Sequence, residues 1–243
     1  MTTFDVVFFD SGGTLFAEDP EDAAAAGDPD VSEHYKRGPR RVHHALASQG
    51  IIFDEFVIQE ALFESDLEAH AATGDAYTFV TLLDFALRHM GLDPRPEVVA
   101  YAADAYAGPR YQSWLFPGTR EMLSTLRDNG VDLGIIANTP WPGFSMDRAY
   151  AGVGLGGFFR TRVFSGEEGV AKPNREIFEI AAHRARLTDE RVLFVGNDYA
   201  FDGVGAQAAG WPVALRKTPE NITFRPDYLF ESWGELLSIV GIS

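Results

Sequence analysis

Short, uninterrupted hydrophobic runs recur along the chain. Runs of this length without polar alternation are typical of strands buried on both faces of a parallel sheet. Stretches with helical periodicity separate the later runs, as expected for successive βαβ units. We predict strands at 4–9, 133–137, 161–164, 192–196 and 212–215, and helices at 118–129, 174–186 and 203–209.

A long helical stretch separates the first two predicted strands. Helical periodicity covers 38–49, 54–72, 76–90 and 96–107, and no strand-like alternation interrupts it. The pattern therefore predicts an α/β core, residues 1–17 and 113–243, with a helical domain inserted at 18–112. The acidic segment "AEDPEDAAAAGDPD" at the start of the insertion is either a surface loop or a mobile connector.

Composition narrows the classes of function. The 243 residues carry a net charge of −16, which argues against nucleic acids and anionic membranes as partners. The chain has no cysteine, so disulfides, thiol nucleophiles and cysteine-based metal sites are excluded. No apolar segment reaches the length of a membrane helix and the N-terminus lacks signal-peptide character, so we expect a cytoplasmic monomer or homodimer.

Polar residues of unusual type follow four of the five predicted strands. Because the carboxyl ends of parallel strands meet at one edge, we expect these residues to share a crevice. For the first strand alone, an ordinary strand-to-loop transition is an equally good interpretation. The residues are Asp10 after the first strand, Asn138 and Thr139 after the second, Lys172 after the third, and Asn197, Asp198 and Asp202 after the fourth.

Carboxylates crowded in this way must bind protons or share a cation. Mg²⁺ suits such a site, since it accepts carboxylates, a carbonyl, waters and a substrate phosphate oxygen. Lys172 could hold Asp10 and a phosphate as a point charge, and it is one of only three lysines in the chain. The glycines after Asp10 would let the backbone approach a bound anion or metal closely.

Four segments carry a family resemblance: "FFDSGGTLF", "LGIIANTP", "GVAKPNREIF" and "VLFVGNDYAFDGVGAQAAGW". In order and spacing they resemble the haloacid dehalogenase-like (HAD) hydrolase superfamily, and the helical insertion resembles its α-helical cap. The resemblance implies a Rossmann-like core in which Asp10 attacks a small phosphorylated metabolite and the resulting aspartyl-phosphate is hydrolysed. It further implies that Thr14 and Lys172 organise the phosphoryl group with Gly13, Asn138 and Thr139, and that Mg²⁺ is held by Asp10, the Gly12 carbonyl, Asn197 or Asp198, and Asp202.

The sequence departs from the phosphatase pattern at three positions. Gly12 stands where family phosphatases carry a second aspartate, the general acid and base. Ala137 replaces the usual serine or threonine of the second motif, so Thr139 would have to turn inward. Asn197 replaces the first acid of the fourth motif, and Asp198 could take its place only in a register shifted by one residue.

These departures leave three interpretations open. A cap residue could supply the missing proton, although its basic cluster is also simply a solvated helix start. Alternatively the reaction is at carbon, as in dehalogenases and in phosphonate hydrolases, for which Lys36 is the single cap lysine. The third interpretation is a HAD-scaffold binding protein with little or no turnover. The candidate cap residues are His34, Lys36, Arg37, Arg40, Arg41, His43 and His44.

Overall fold

Six parallel strands form one sheet in the computed structural model, which describes residues 2–17, 36–110 and 112–242. The strand order is β3-β2-β1-β4-β5-β6, so β1 is central, with β2 on one side and β4 on the other. Phe9 lies opposite both Ile135 and Val195, which brings the ends of these three strands level. The strands are β1 Val6–Phe9, β2 Asp132–Ala137, β3 Thr161–Phe164, β4 Val192–Gly196, β5 Val213–Arg216 and β6 Tyr228–Phe230.

Within residues 36–110, four α-helices form a cap with its own hydrophobic core, which includes Leu46, Leu83 and Val99. The Asp54 side chain accepts the Phe56 N–H at the start of the second of these helices. The helical insertion that the periodicity predicted is therefore confirmed. The helices are α1 Gly38–Ser48, α2 Glu55–Thr73, α3 Phe79–His89 and α4 Pro96–Ala107.

The chain enters and leaves the cap along two adjacent segments. The Ala17 N–H donates to the Trp114 carbonyl at 2.9 Å, and the Phe116 N–H donates to the Leu15 carbonyl at 3.1 Å. The described ends of the cap therefore lie side by side, next to the loop that follows β1. The acidic connector at 18–30 and His34 lie outside the described residues.

Helices cover both faces of the sheet because successive β1 side chains alternate between two apolar layers. Val7 and Phe9 belong to one layer, and Val6 and Phe8 to the other. The first layer contains α5 Thr119–Asp128, α6 Gly143–Gly152 and the C-terminal helix; the second contains the helices after β3 and β4. The remaining helices are α7 Ser165–Glu168, α8 Arg175–Ala185, α9 Val204–Ala208, α10 Pro219–Thr223 and α11 Trp233–Val240.

The five predicted strands are confirmed with small shifts at their ends, whereas β6 was missed. Three residues are too few to show a strand period. The predicted helix at 203–209 is α9 preceded by a π-helical turn, Tyr199–Gly203. In the described part of the chain, no helix combines the length and apolarity needed to cross a membrane.

Candidate active site

Asp10, Lys172 and Asp202 form a buried charged cluster at the carboxyl edge of the sheet. The Lys172 ammonium donates to Asp10 Oδ1 and to Asp202 Oδ1, each at 2.6 Å. All three residues are less than 9% exposed. Strands β1, β3 and β4 thus bring together three of the residues that the sequence predicted to meet.

Opposing electrostatic effects act on this cluster. Burial, the largest single effect, lowers the pKa of the Lys172 ammonium, but Asp10 and Asp202 together raise it above its ordinary value. Burial also raises the pKa of Asp202, to about 6, against the opposing effect of Lys172. Lys172 therefore stays protonated at neutral pH, and it keeps a positive charge beside Asp10.

Asp202 is held by the backbone as well as by Lys172. Its Oδ2 accepts the N–H groups of Asn197 and Asp198, at 3.0 and 3.1 Å. A side chain at Gly196 would collide with this carboxylate, so the glycine lets β4 end directly beneath Asp202. Both Asp202 oxygens are thereby committed to hydrogen bonds within the protein.

Thr14 and Asn197 form the other side of the cluster. The Thr14 hydroxyl lies 3.0 Å from Asp10 Oδ2 and 3.0 Å from Asn197 Oδ1. Gly13 adopts a positive φ of 68° directly beside the Asn197 amide, where a Cβ would clash. The tight turn after β1 consequently brings Thr14, Asn197 and the nucleophile candidate Asp10 together.

Asn138 and Thr139 follow β2, as predicted, but their hydrogen bonds are to the protein itself. The Asn138 amide pairs with the backbone of Lys172: Nδ2 donates to its carbonyl at 2.9 Å, and Oδ1 accepts its N–H at 2.8 Å. The Thr139 N–H donates to Ser165 Oγ, while Thr139 Oγ1 accepts the Trp141 N–H. Asn138 thus fixes the loop that carries Lys172.

Asp198 points away from the cluster. It is exposed, and its Oδ1 accepts the N–H groups of Ala200 and Phe201 at the start of the π-helical turn. The carboxylate therefore serves as a helix cap in this structure.

In the cap, Arg41 donates to the carbonyls of Ala105 and Tyr106 and so joins α1 to α4. The other described members of the basic cluster are exposed or half-buried: Lys36, Arg37, Arg40, His43 and His44.

Two residues that the sequence did not single out also reach this edge. Arg216, the last residue of β5, donates from Nη2 to the Thr14 carbonyl at 3.3 Å. Asn221 on α10 donates to the Asn197 carbonyl at 2.7 Å. The signal was available, because both residues follow a predicted strand in the same way as Asp10 and Asn197, but they lack the charge pattern of a site.

Comparison with known proteins now identifies the family. The family model for haloacid dehalogenase-like hydrolases matches residues 4–210. The chain belongs to this family.

The HAD relatives of this chain include phosphatases and dehalogenases. A glyceraldehyde 3-phosphate phosphatase from Methanopyrus kandleri is 33% identical over 168 residues, covering 65% of this chain and 70% of that protein. An (S)-2-haloacid dehalogenase from a Pseudomonas species is 28% identical over 128 residues, covering 51% and 55%. The family membership therefore supports a hydrolase without naming its substrate.

Solved structures show the same HAD fold. A 2-haloacid dehalogenase from Pseudomonas syringae aligns over 98% of this chain and 99% of its own, with a TM-score of 0.65 and 19% identity. A HAD phosphatase from Thermococcus onnurineus aligns over 98% of both chains, with a TM-score of 0.58 and 20% identity.

The residues present offer a reduced ligand set for the Mg²⁺ that the sequence predicted. Asp10 Oδ2 and Asn197 Oδ1 face the same Thr14 hydroxyl, so two oxygen donors of the kind Mg²⁺ prefers converge. Within 2–17, 36–110 and 112–242, no group of three or more histidine, aspartate or glutamate side chains could hold a metal. A cation at this place would therefore be held by one carboxylate and neutral oxygens.

Proposed function

We propose that this chain is a HAD hydrolase that cleaves small phosphorylated metabolites through a covalent intermediate on Asp10. The observation that carries the proposal is the Lys172 ammonium, buried and 2.6 Å from Asp10 Oδ1. A positive charge in a site shielded from water lowers the repulsion between an anionic nucleophile and an anionic substrate. Asp10 directly follows the central strand, where we expect a nucleophile, and this position distinguishes the pair from an ordinary structural ion pair.

In the first step, an Asp10 oxygen attacks phosphorus and the bond from phosphorus to the ester oxygen breaks. The Thr14 hydroxyl and the Lys172 ammonium hold Asp10 in place for this attack. Water then attacks the aspartyl-phosphate, which releases phosphate and restores the carboxylate. Asp10, the Gly12 carbonyl and Asn197 would hold Mg²⁺, which would neutralise charge on the phosphoryl group.

Gly12 limits the range of efficient substrates. It has no side chain to protonate the departing oxygen, and a general acid commonly contributes a factor of about 10² to 10⁴ in rate. The leaving groups of acyl and aryl phosphates, a carboxylate and an aryl oxide, depart as weakly basic anions and need this proton least. We therefore expect these activated substrates to react faster than alkyl phosphates such as glyceraldehyde 3-phosphate or phosphoglycolate.

A second candidate is displacement of halide from carbon. The neutral residues Gly12 and Asn197 favour it, because a halide leaves without a proton and its displacement needs no metal. Asp10 would form an ester with the substrate carbon as the halide departs, and water would hydrolyse that ester. The similarity to an (S)-2-haloacid dehalogenase is consistent with this chemistry.

The test is a substrate panel measured with and without Mg²⁺. Phosphate release is measured from acetyl phosphate, p-nitrophenyl phosphate and an alkyl phosphate, and halide release from 2-chloropropionate. Asp10→Asn serves as the control, and loss of the nucleophile is expected to lower turnover on the order of 10³-fold or more.

Each outcome selects one function. Phosphate release that requires both Asp10 and Mg²⁺ supports the phosphatase, and Asp10-dependent halide release without Mg²⁺ supports the dehalogenase. Binding of Mg²⁺ and phosphate with turnover no higher than that of Asp10→Asn would instead indicate a binding protein and contradict the hydrolase.

A further inference from the structure

The loops that carry Thr14 and Asn197 come from different strands, yet their side chains meet at 3.0 Å. The first loop follows β1 and the second follows β4. Loops of this kind are mobile unless their backbone groups are bonded to a rigid element. Arg216, at the end of β5, supplies such a bond to the first loop, and Asn221, on α10, supplies one to the second.

Asn221 makes the stronger of these two connections. It is only 2% exposed, and its Nδ2 donates to two carbonyls, that of Asn197 at 2.7 Å and that of Arg216 at 2.8 Å. An amide nitrogen carries two hydrogens, so both bonds can form at once. The Asn221 side chain therefore ties the Asn197 loop to the end of β5.

Arg216 makes the second connection, from β5 to the loop after β1. Its guanidinium lies over the rings of Phe116 and Trp233, at 4.2 and 4.5 Å from their centroids. From this aromatic setting, Nη2 reaches the Thr14 carbonyl. Arg216 thus connects β5 to the Thr14 loop, and through Asn221, which also bonds to the Arg216 carbonyl, it is connected to the Asn197 loop.

We infer that Asn221 is a positioning residue that sets the Asn197 amide oxygen against Thr14 and Asp10. Asn221 bonds to the backbone carbonyl of Asn197, whereas the Asn197 side chain faces Thr14, so Asn221 acts through Asn197. The inference rests on the proposed function, in which Asn197 helps to hold Mg²⁺. Loss of a partner that orients a metal ligand typically lowers metal affinity about 10–100-fold.

The experiment measures Mg²⁺ binding to metal-free protein by calorimetry, together with phosphate release and the melting temperature. Asn221→Ala removes both donors, and Asn221→Asp keeps the shape but has no N–H to donate. The matched control is Thr218→Ala, because Thr218 caps the same helix by accepting the Asn221 backbone N–H at 3.1 Å. This control weakens α10 but leaves the Asn221 amide in place.

We expect both Asn221 variants to bind Mg²⁺ about 10–100-fold more weakly than Thr218→Ala does, with a lower kcat. Should Asn221→Ala fail to fold, the isosteric Asn221→Asp gives the same comparison. Equal Mg²⁺ affinity in Asn221→Asp and Thr218→Ala would overturn the positioning role while leaving the phosphatase proposal intact. If the unaltered protein neither binds Mg²⁺ nor releases phosphate, the proposed function itself fails, and the role of Asn221 in metal binding fails with it.

Discussion

The two sides of the candidate site differ in charge and in how firmly their groups are bonded. On the charged side, Lys172 joins Asp10 and Asp202 in a buried cluster whose hydrogen bonds come from one ammonium and the backbone. On the neutral side, Gly12 has no side chain and Asn197 offers an uncharged amide. The charged side thus has the groups that hold Asp10. The neutral side is where a group that transfers protons or binds metal would be expected.

Asp10 belongs to both sides. Its Oδ1 accepts from Lys172, and its Oδ2 faces the Thr14 hydroxyl. Both Asp10 oxygens are therefore held by neighbouring groups, whereas Gly12 and Asn197 offer neither a proton-donating acid nor a second negative charge. Substitutions on the charged side should consequently cost stability as well as activity, and those on the neutral side should change activity or metal affinity.

The largest effect is expected from removal of Lys172. Lys172→Met has a similar volume but leaves two carboxylates buried without their cation, so we expect a loss of about 3–5 kcal/mol in the free energy of unfolding. The effect should shrink at low pH, where the carboxylates can bind protons. Urea unfolding at pH 7.5 and pH 5 measures both quantities.

Lys217→Met is the matched control for this loss. Lys217 also pairs with a carboxylate, that of Glu231, but both side chains are largely exposed. Exposed pairs contribute at most about 1 kcal/mol. Equal destabilisation by the two substitutions would show that the buried cluster is no more than a surface-like pair.

The next effect concerns the ionisation of Asp202. Folding raises its pKa from 3.8 to about 6, so the folded chain binds this proton more tightly than the unfolded chain. Its contribution to stability is then greatest below about pH 4 and falls as the pH rises to about 6. Relative to Asp202→Asn, the unaltered protein should therefore lose stability as the pH rises from about 4 to 7, measured by urea unfolding with a chelator present.

Asp5 provides a control because its pKa is shifted in the opposite direction to that of Asp202. Its hydrogen bonds with Arg191 lower the pKa of this exposed carboxyl to about 2. The stability it contributes is present above about pH 4 and is lost as the pH falls toward 2. A difference between the unaltered protein and Asp202→Asn that stays constant from pH 4 to pH 7 would contradict the raised pKa of Asp202.

The charged side of the site could be predicted from sequence because its residues obey one rule. Asp10, Lys172 and Asp202 are charged residues that follow buried strands, and parallel strand ends must converge. The helical cap was predictable for a similar reason, since apolar periodicity and caps such as Asp54 are local signals.

The neutral side shows where that rule stops. Asn138 has the position of a ligand-binding residue, but its amide pairs with the Lys172 backbone, a partnership 34 residues away that no local pattern encodes. Asp198 likewise has the carboxylate of a metal ligand, but the orientation of this carboxylate depends on the π-helical turn that it caps. Asn221 follows a predicted strand, but its hydrogen bonds are to backbone carbonyls, which every residue has, so no charge or motif singled it out.

The smallest effect tests the neutral side directly. Asn197→Asp keeps an oxygen facing Thr14 and adds a charge beside Asp10, so we expect Mg²⁺ to bind roughly tenfold more tightly, about 1.4 kcal/mol. Asp198→Asn is the control, because asparagine also caps helices and the exposed Asp198 carboxylate faces the turn. Calorimetric titration of each metal-free variant gives the affinities.

The opposite result would assign the metal ligand to residue 198 in place of residue 197. If Asp198→Asn weakens Mg²⁺ binding while Asn197→Asp leaves it unchanged, Asp198 is the ligand, and it must release Ala200 and Phe201 to reach the cation. Binding of substrate or metal would then change the conformation of the Asn197–Asp198 loop. If instead Asn197→Asp tightens Mg²⁺ binding and Asp198→Asn leaves it unchanged, residue 197 is the ligand position. The neutral asparagine there then keeps Mg²⁺ binding weak, and Lys172 is the principal positive charge beside Asp10.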